Sequence, residues 1–205
     1  MMTNKDLLNQ PKTGGQRPTK IQRRALIGGA VAALLASPKR ALAEEKDFPN
    51  DPFILLLHGI YQPVVRGPNL GLSSVNLSDG SYSTTKIYPI FGVDGSNDQD
   101  KAIGNFYVQF NGFKCAYDLP GGAIAMNFLP PPAGAPPGFN GFVPFPDGKG
   151  GYFLEGTFEL TIPEANGIYQ RFAGGHNHMV DRLHQLADGN FNEFCFCNIS
   201  QYQFP

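Results

Sequence analysis

The stretch "YFLEGTFELTI", Tyr152 to Ile162, constrains the fold more than any other part of the chain. Leu154, Phe158, Leu160 and Ile162 fall on one face of an extended strand, and Glu155, Thr157, Glu159 and Thr161 fall on the other. Side chains alternate across a strand, so this pattern belongs to an antiparallel sheet with one face in a core. Similar runs recur between turn signals. "FILLLHG", from Phe53, is a continuous apolar run suited to a buried strand. "SYSTTKIYPIF", Ser81 to Phe91, is β-branched and aromatic, with Pro89 marking an edge or a bulge. "GNFYVQF" places Phe106, Val108 and Phe110 on one face, and Asn111-Gly112 turns the chain into "FKCAYDL". "AIAMNFL", "GIYQRFAG" and "NFNEFCFCNIS" bring the count to about eight. The expectation is an all-β fold, an antiparallel eight-stranded barrel with a two-sheet sandwich as the alternative.

Two segments interrupt this pattern. Leu129 to Gly151 holds seven prolines, which oppose regular pairing. Phe139, Phe142 and Phe145 within it are spaced to dock on apolar surface. A loop this long in a compact domain often serves as a lid or a binding edge; a stiff excursion without a role is the alternative. The second segment lies between Gly174-Gly175 and Asp188-Gly189. It predicts one short helix before the last strand, capped by Asn177, with Met179, Val180, Leu183 and Leu186 as its apolar stripe.

That segment also carries the candidate chemistry. His176, His178 and His184, three of the four histidines, lie there with Asp181. On a helix, His178, Asp181 and His184 are spread in steps of about 60°, too wide for all three to grip one ion. His176 and His178 can converge as a metal-binding pair, with His58 or a carboxylate from the sheet. The same histidines, with Asp181, are the candidates for a catalytic or ligand-binding role. Solvated or locally bonded histidines at a helix start are the plainer alternative.

Residues 1–43 read as a cleavable export signal. Arg23-Arg24 precede the apolar run Ala25 to Ala36, and Ala41-Leu42-Ala43 supplies a cleavage site before Glu44. A run of this length is too short to span a bilayer of roughly 30 Å as a helix. The adjacent arginines, the Gly/Ala-rich run and the basic pair after it resemble a twin-arginine signal, with Gln22 where Ser or Thr is usual. The resemblance implies a periplasmic or secreted protein, without a membrane anchor once the signal is cut.

Residues 1–43 hold eight of the chain's 16 basic residues and one of its 17 acidic ones, so residues 44–205 carry 8 against 16, net −8. Without a basic cluster, nucleic acid is excluded as a partner. Those 162 residues suit one domain. Three cysteines, Cys115, Cys195 and Cys197, allow one disulfide, with Cys115 as one partner, or three buried thiols. Cys195 and Cys197 share a strand face.

Other chemistry lacks its parts. Glu155 and Glu159 lie roughly 13 Å apart along one strand face, beyond the separation of a glycosidase pair. Nucleophile-elbow, P-loop and dinucleotide fingerprints are missing, and Ser73 and Ser74 have no elbow around them. No cofactor is expected. "GVDGSNDQD" departs from a calcium loop in the position of Gly95 and the lack of a closing Glu.

The segment "GTFELTIPEANGIYQRFAGG", Gly156 to Gly175, resembles the strand–turn–strand of the allene oxide cyclase and dirigent type of barrel. The resemblance rests on turn glycines and aromatics over about a tenth of the chain. It implies an eight-stranded barrel around a small hydrophobic molecule, which some members cyclise or isomerise and others guide in coupling. No catalytic carboxylate of those families has a matching motif here, and the segment after Gly175 has no counterpart in them. The leading functional expectation is therefore an exported barrel that binds or processes a small apolar ligand. A non-catalytic envelope or structural protein, and a metal-dependent enzyme using His176 and His178, are the alternatives.

Overall fold

A computed structural model describes residues 49–93 and 99–202. Residues 1–43, and Asp94 and Asp98 of the acidic turn, lie outside the described residues. The nine strands run in chain order: β1 (Phe53–Pro63), β2 (Ser83–Phe91), β3 (Gly104–Gln109), β4 (Lys114–Leu119), β5 (Gly122–Phe128), β6 (Val143–Pro146), β7 (Tyr152–Ala165), β8 (His176–Gln185) and β9 (Phe191–Ser200). Successive strands pair antiparallel from β1 to β5, β9 joins β8 to β1, and β5 pairs with β7. Eight strands thus close into a barrel, with β6 outside it. Closure removes the open edges that a flat sheet of this size would leave unpaired.

The expected alternation on β7 is present. Phe158, Leu160 and Ile162 are buried and face inward, whereas Glu155, Thr157, Glu159 and Thr161 face outward. One edge of β7 is paired with β8 from Tyr152 to Thr161. The opposite edge is shared among three partners. Its first residues pair with β6 and its last with β5. Between them the proline-rich loop completes the ladder, with Thr157 N–H donating to Gly138 O and Asn140 N–H to Thr157 O, both at 2.7 Å. The loop therefore extends the β7 edge outside the closed barrel, and Val143–Pro146 within it is a strand despite its prolines.

Two expectations are corrected. "GIYQRFAG" is a 3-10 turn over Gly167–Phe172 rather than a strand. Gly167 sits at φ 60°, where a Cβ would come within 1.9 Å of Gly121 O. Residues three apart eclipse one another in a 3-10 turn, so Tyr169 and Phe172 both point into the barrel end and are fully buried. Phe172 meets Phe53 edge-on at 5.0 Å, and Tyr169 lies 5.9 Å from the same ring.

The second correction concerns the helix expected from Asn177 to Leu186, which is strand β8 instead. Asn177, Met179, Asp181 and Leu183 face inward, and His176, His178, Val180, Arg182 and His184 face outward. A helix there would leave the facing edges of β7 and β9 without partners. Ten residues of β8 pair with each of those strands instead.

Outside the wall, residues 64–82 cross the outer face of β3 to β5. Val64, Leu72, Val75, Leu77 and Tyr82 pack there against Tyr107, Ala116, Ala123 and Ala125. The three alanines keep that face flat enough for close approach. Ser73 and Ser74 anchor the crossing through backbone and hydroxyl donors to the Glu164 carboxylate, at 2.8–3.0 Å. No helix of the described residues is long and apolar enough to cross a membrane.

Candidate functional site: a hooded acidic cavity in the barrel mouth

The two barrel ends differ. The 3-10 turn plugs one. The other opens into a cavity of about 260 Å³, lined by Phe106, Val108, Phe110, Phe113, Phe128 and Phe158 of the barrel and its hairpin, and by Asn140, Gly141 and Phe142 of the loop. Phe142 packs edge-on against Phe158, with ring centroids 4.8 Å apart. Asn140 Oδ1 accepts from Glu159 N at 2.7 Å. Gly156 permits this hood, because a Cβ there would fall 2.2 Å from Gly141 O.

At the deep side of this apolar chamber lie Tyr61, Asp181 and Glu193. The strand register brings them together. Asp181 of β8 is opposite Cys195 of β9, and Glu193 lies two residues from Cys195 on the same inner face. One atom each of Asp181, Glu193 and Cys195 fall within 4.8 Å of one another. Tyr61, inward at the end of β1, donates its hydroxyl to Glu193 Oε1 at 2.6 Å. Gly59 stands opposite Glu193 on the neighbouring strand, so no side chain competes for that space.

Glu193 is fully buried and Asp181 is 7% exposed. Glu193 Oε2 and Asp181 Oδ1 have no hydrogen-bond partner among the described residues. Buried unpartnered carboxylate oxygens are costly, so they mark a place where a proton or a ligand completes the structure. Burial pushes the Asp181 carboxyl up to about 7. Burial and the charge on Asp181 together raise Glu193 well above the usual range, with the Tyr61 hydrogen bond acting the other way. Burial also keeps Cys115 and Cys195 as thiols, and with Cys197 all three cysteines are free and buried. Cys195 and Cys197 share the inner face as expected, with sulfurs 3.7 Å apart. Asp181, Glu193 and Cys195 are also the one group of the described residues with ligand atoms close enough for a metal ion.

The sequence candidates are thereby divided. Asp181 enters the cavity, but His176 and His178 lie on the outer wall. His178 Nδ1 meets Glu159 Oε1 at 2.6 Å, His176 Nδ1 contacts the Tyr202 carbonyl, and His184 Nε2 meets Asp147 Oδ2 at 2.9 Å. Hydrogen bonds from His184 and from the Lys149 and Gly151 amides hold Asp147 down to about 2. His58 is also outward, bonded to the Glu193 carbonyl. Glu193 and Tyr61 carry no sequence motif. The one available signal was the alternation of "FNEFCFCNIS", which puts Glu193 on the face of Cys195 and Cys197.

Fold and site together define a class: a closed antiparallel eight-stranded barrel with a hooded apolar mouth and a buried carboxyl pair. Comparison with protein-family models, curated proteins and solved structures gives no match to this chain.

Proposed function

We propose that the barrel mouth binds a small, mostly apolar molecule with one polar group directed at Asp181 and Glu193. The observation that carries this reading is the cavity itself: an aromatic chamber whose lining includes Asp181 and Glu193, each with one buried, unpartnered carboxylate oxygen. Ligand sites typically combine an apolar lining with a few placed polar groups. Size sets the scale of the occupant. A cavity of roughly 150 Å³ takes benzene, so about 260 Å³ suits a bicyclic or similarly small compound. The hood covers such a guest, which accords with the lid expected for the proline-rich loop. It is also the kind of occupant that the resemblance to allene oxide cyclase and dirigent barrels implies.

The test is retention of an apolar compound by the full chain under native mass spectrometry, repeated with the cavity-filling variant Val108→Phe. Binding to the first and loss in the second supports the reading. Equal behaviour of the two, with Val108→Phe folded, overturns it. Export through the 1–43 signal belongs to the same proposal, and the exported protein should begin at Glu44 on N-terminal sequencing.

A second reading, a non-catalytic envelope or structural protein, draws on the outer wall. Ile60, Val180, Phe194 and Phe196 are each more than two-fifths exposed there. Apolar groups clustered on a surface mark interaction sites. A monomer in sedimentation analysis whose state is unaltered by Phe194→Ser/Phe196→Ser counts against self-association through this wall.

A further inference from the structure

We propose that Asp181 and Glu193 work as an acid–base pair that shifts a proton within an enolisable, largely apolar carbonyl compound held in the barrel mouth. The proposal rests on the binding reading above and adds a reaction to it. Its basis is the asymmetry of the two carboxyls. The Tyr61 hydroxyl already occupies Glu193 Oε1, at 2.6 Å, and leaves Oε2 without a partner. A protonated Glu193 therefore carries its hydrogen on Oε2. No protein group among the described residues takes up that hydrogen. Asp181 Oδ1 is equally unpartnered and, when ionised, is free to accept a proton.

Two carboxylates this close in a dry interior do not both ionise, so the pair holds one proton in common. The charge on Asp181 helps to raise Glu193. Burial and the charge on Asp181 favour the shared proton on Glu193, against the pull of the Tyr61 hydrogen bond, and with the proton there Asp181 is the free base. This is the arrangement needed for concerted acid and base work near pH 7. Tyr61 and Cys195, the titratable groups beside the pair, stay neutral.

The step balances without any further reactant. Asp181 Oδ1 removes a proton from the carbon beside the carbonyl. The C–H electron pair becomes the carbon–carbon double bond of an enol, and the carbonyl π pair moves to oxygen, which takes the Glu193 proton. Asp181 is now the acid and Glu193 the carboxylate. In reverse, Asp181 returns its proton to the same carbon, or to the far carbon of a conjugated enol, and Glu193 recovers its proton from the hydroxyl. Delivery to the far carbon moves a double bond, which is an isomerisation.

The probe is 2-tetralone, a bicyclic ketone of suitable size, with the full chain in D₂O near pH 7. Binding is read by saturation-transfer NMR and reaction by loss of the C1 proton signal. The expected exchange exceeds the buffer rate by about 100-fold or more, the usual range for a positioned acid or base. Asp181→Asn and Glu193→Gln should each lose at least about tenfold of it while still binding. The outer-wall variant His178→Ala should exchange normally. Binding without exchange in the wild type overturns the proton-transfer assignment and leaves the binding reading standing. Failure to bind, with no difference between wild type and Val108→Phe, overturns both. Stoichiometric zinc in the purified full chain, lost on Cys195→Ser, would replace the acid–base pair with a metal centre. Should the carboxyl variants not fold, ¹³C-carboxyl NMR of the wild type decides: one proton retained by the pair well above the ordinary carboxylate range supports the assignment, and two ordinary acidic titrations overturn it.

Discussion

The plugged end and the open end of this barrel are made from the same strands yet solve opposite problems. At the plugged end, Phe53, Tyr169 and Phe172 fill the interior. At the mouth, the aromatic side chains line a space instead of filling it, and the inner face turns from Leu, Ile and Cys to Asp181 and Glu193. The contrast shows what each end is for. A close-packed apolar end stabilises the fold, and an end holding unpartnered carboxylates sacrifices stability for a site.

The largest test of this contrast is Phe172→Ala. Removing a fully buried ring from the plug should cost about 3–5 kcal/mol in denaturant unfolding. Phe113→Ala, at the rim and 69% exposed, should change stability by less than about 1 kcal/mol. Similar losses at the two positions would break the contrast.

The next effect depends on pH. Asp181 sits at about 7 in the fold, above the ordinary value of 3.8. The folded protein therefore keeps a proton that the unfolded chain releases, and stability should fall as pH rises from about 4 to about 7. Glu193, Cys195 and Tyr61 are the titratable groups facing it, and Glu193 adds to the same trend. Asp181→Asn should flatten much of this slope. It should be more stable than the wild type at pH 8, by on the order of a few kcal/mol, with the difference shrinking towards pH 4. A wild-type stability that rises between pH 4 and pH 7 would contradict the buried pair.

Tyr61→Phe sharpens the contrast further. It leaves Glu193 Oε1 without its donor and should cost about 1–2 kcal/mol by thermal or chemical unfolding. A neutral outcome would mean that another donor reaches Glu193. The smallest effect belongs to the outer wall. His176→Ala/His178→Ala removes one partly exposed contact with Glu159 and one with a backbone carbonyl. It should stay within about 1 kcal/mol of the wild type in melting experiments.

The barrel has its expected eight strands, although "GIYQRFAG" is not one of them and β8 is. "GIYQRFAG" resembles a strand in composition, but its Tyr and Phe stand three apart, which suits the 3-10 turn that delivers both rings to the plug. Strand β8 was hidden for the opposite reason. Its inner face carries Asn177 and Asp181, and its outer face carries Val180. The period-2 pattern was thus blurred where the site is built, and a helix-period stripe through Met179, Val180 and Leu183 stood out in its place. Asp181 was singled out, but with the wrong companions, because a helix groups it with histidines and a strand separates it from them.

By itself, the sequence determined the all-β class, the barrel expectation, the inner and outer faces of β7, the shared face of Cys195 and Cys197 and the special standing of the proline-rich loop. All of these follow from interactions between near neighbours in the chain: alternation, turn chemistry and proline's missing donor. Only the tertiary structure decided that β8 is a strand, that the loop hoods the mouth and that Tyr61, Asp181 and Glu193 meet inside it. The reason is physical. A helix-like stretch becomes a strand when two long edges need pairing on either side of it. Residues from β1, β8 and β9 become one site only when barrel closure sets their register.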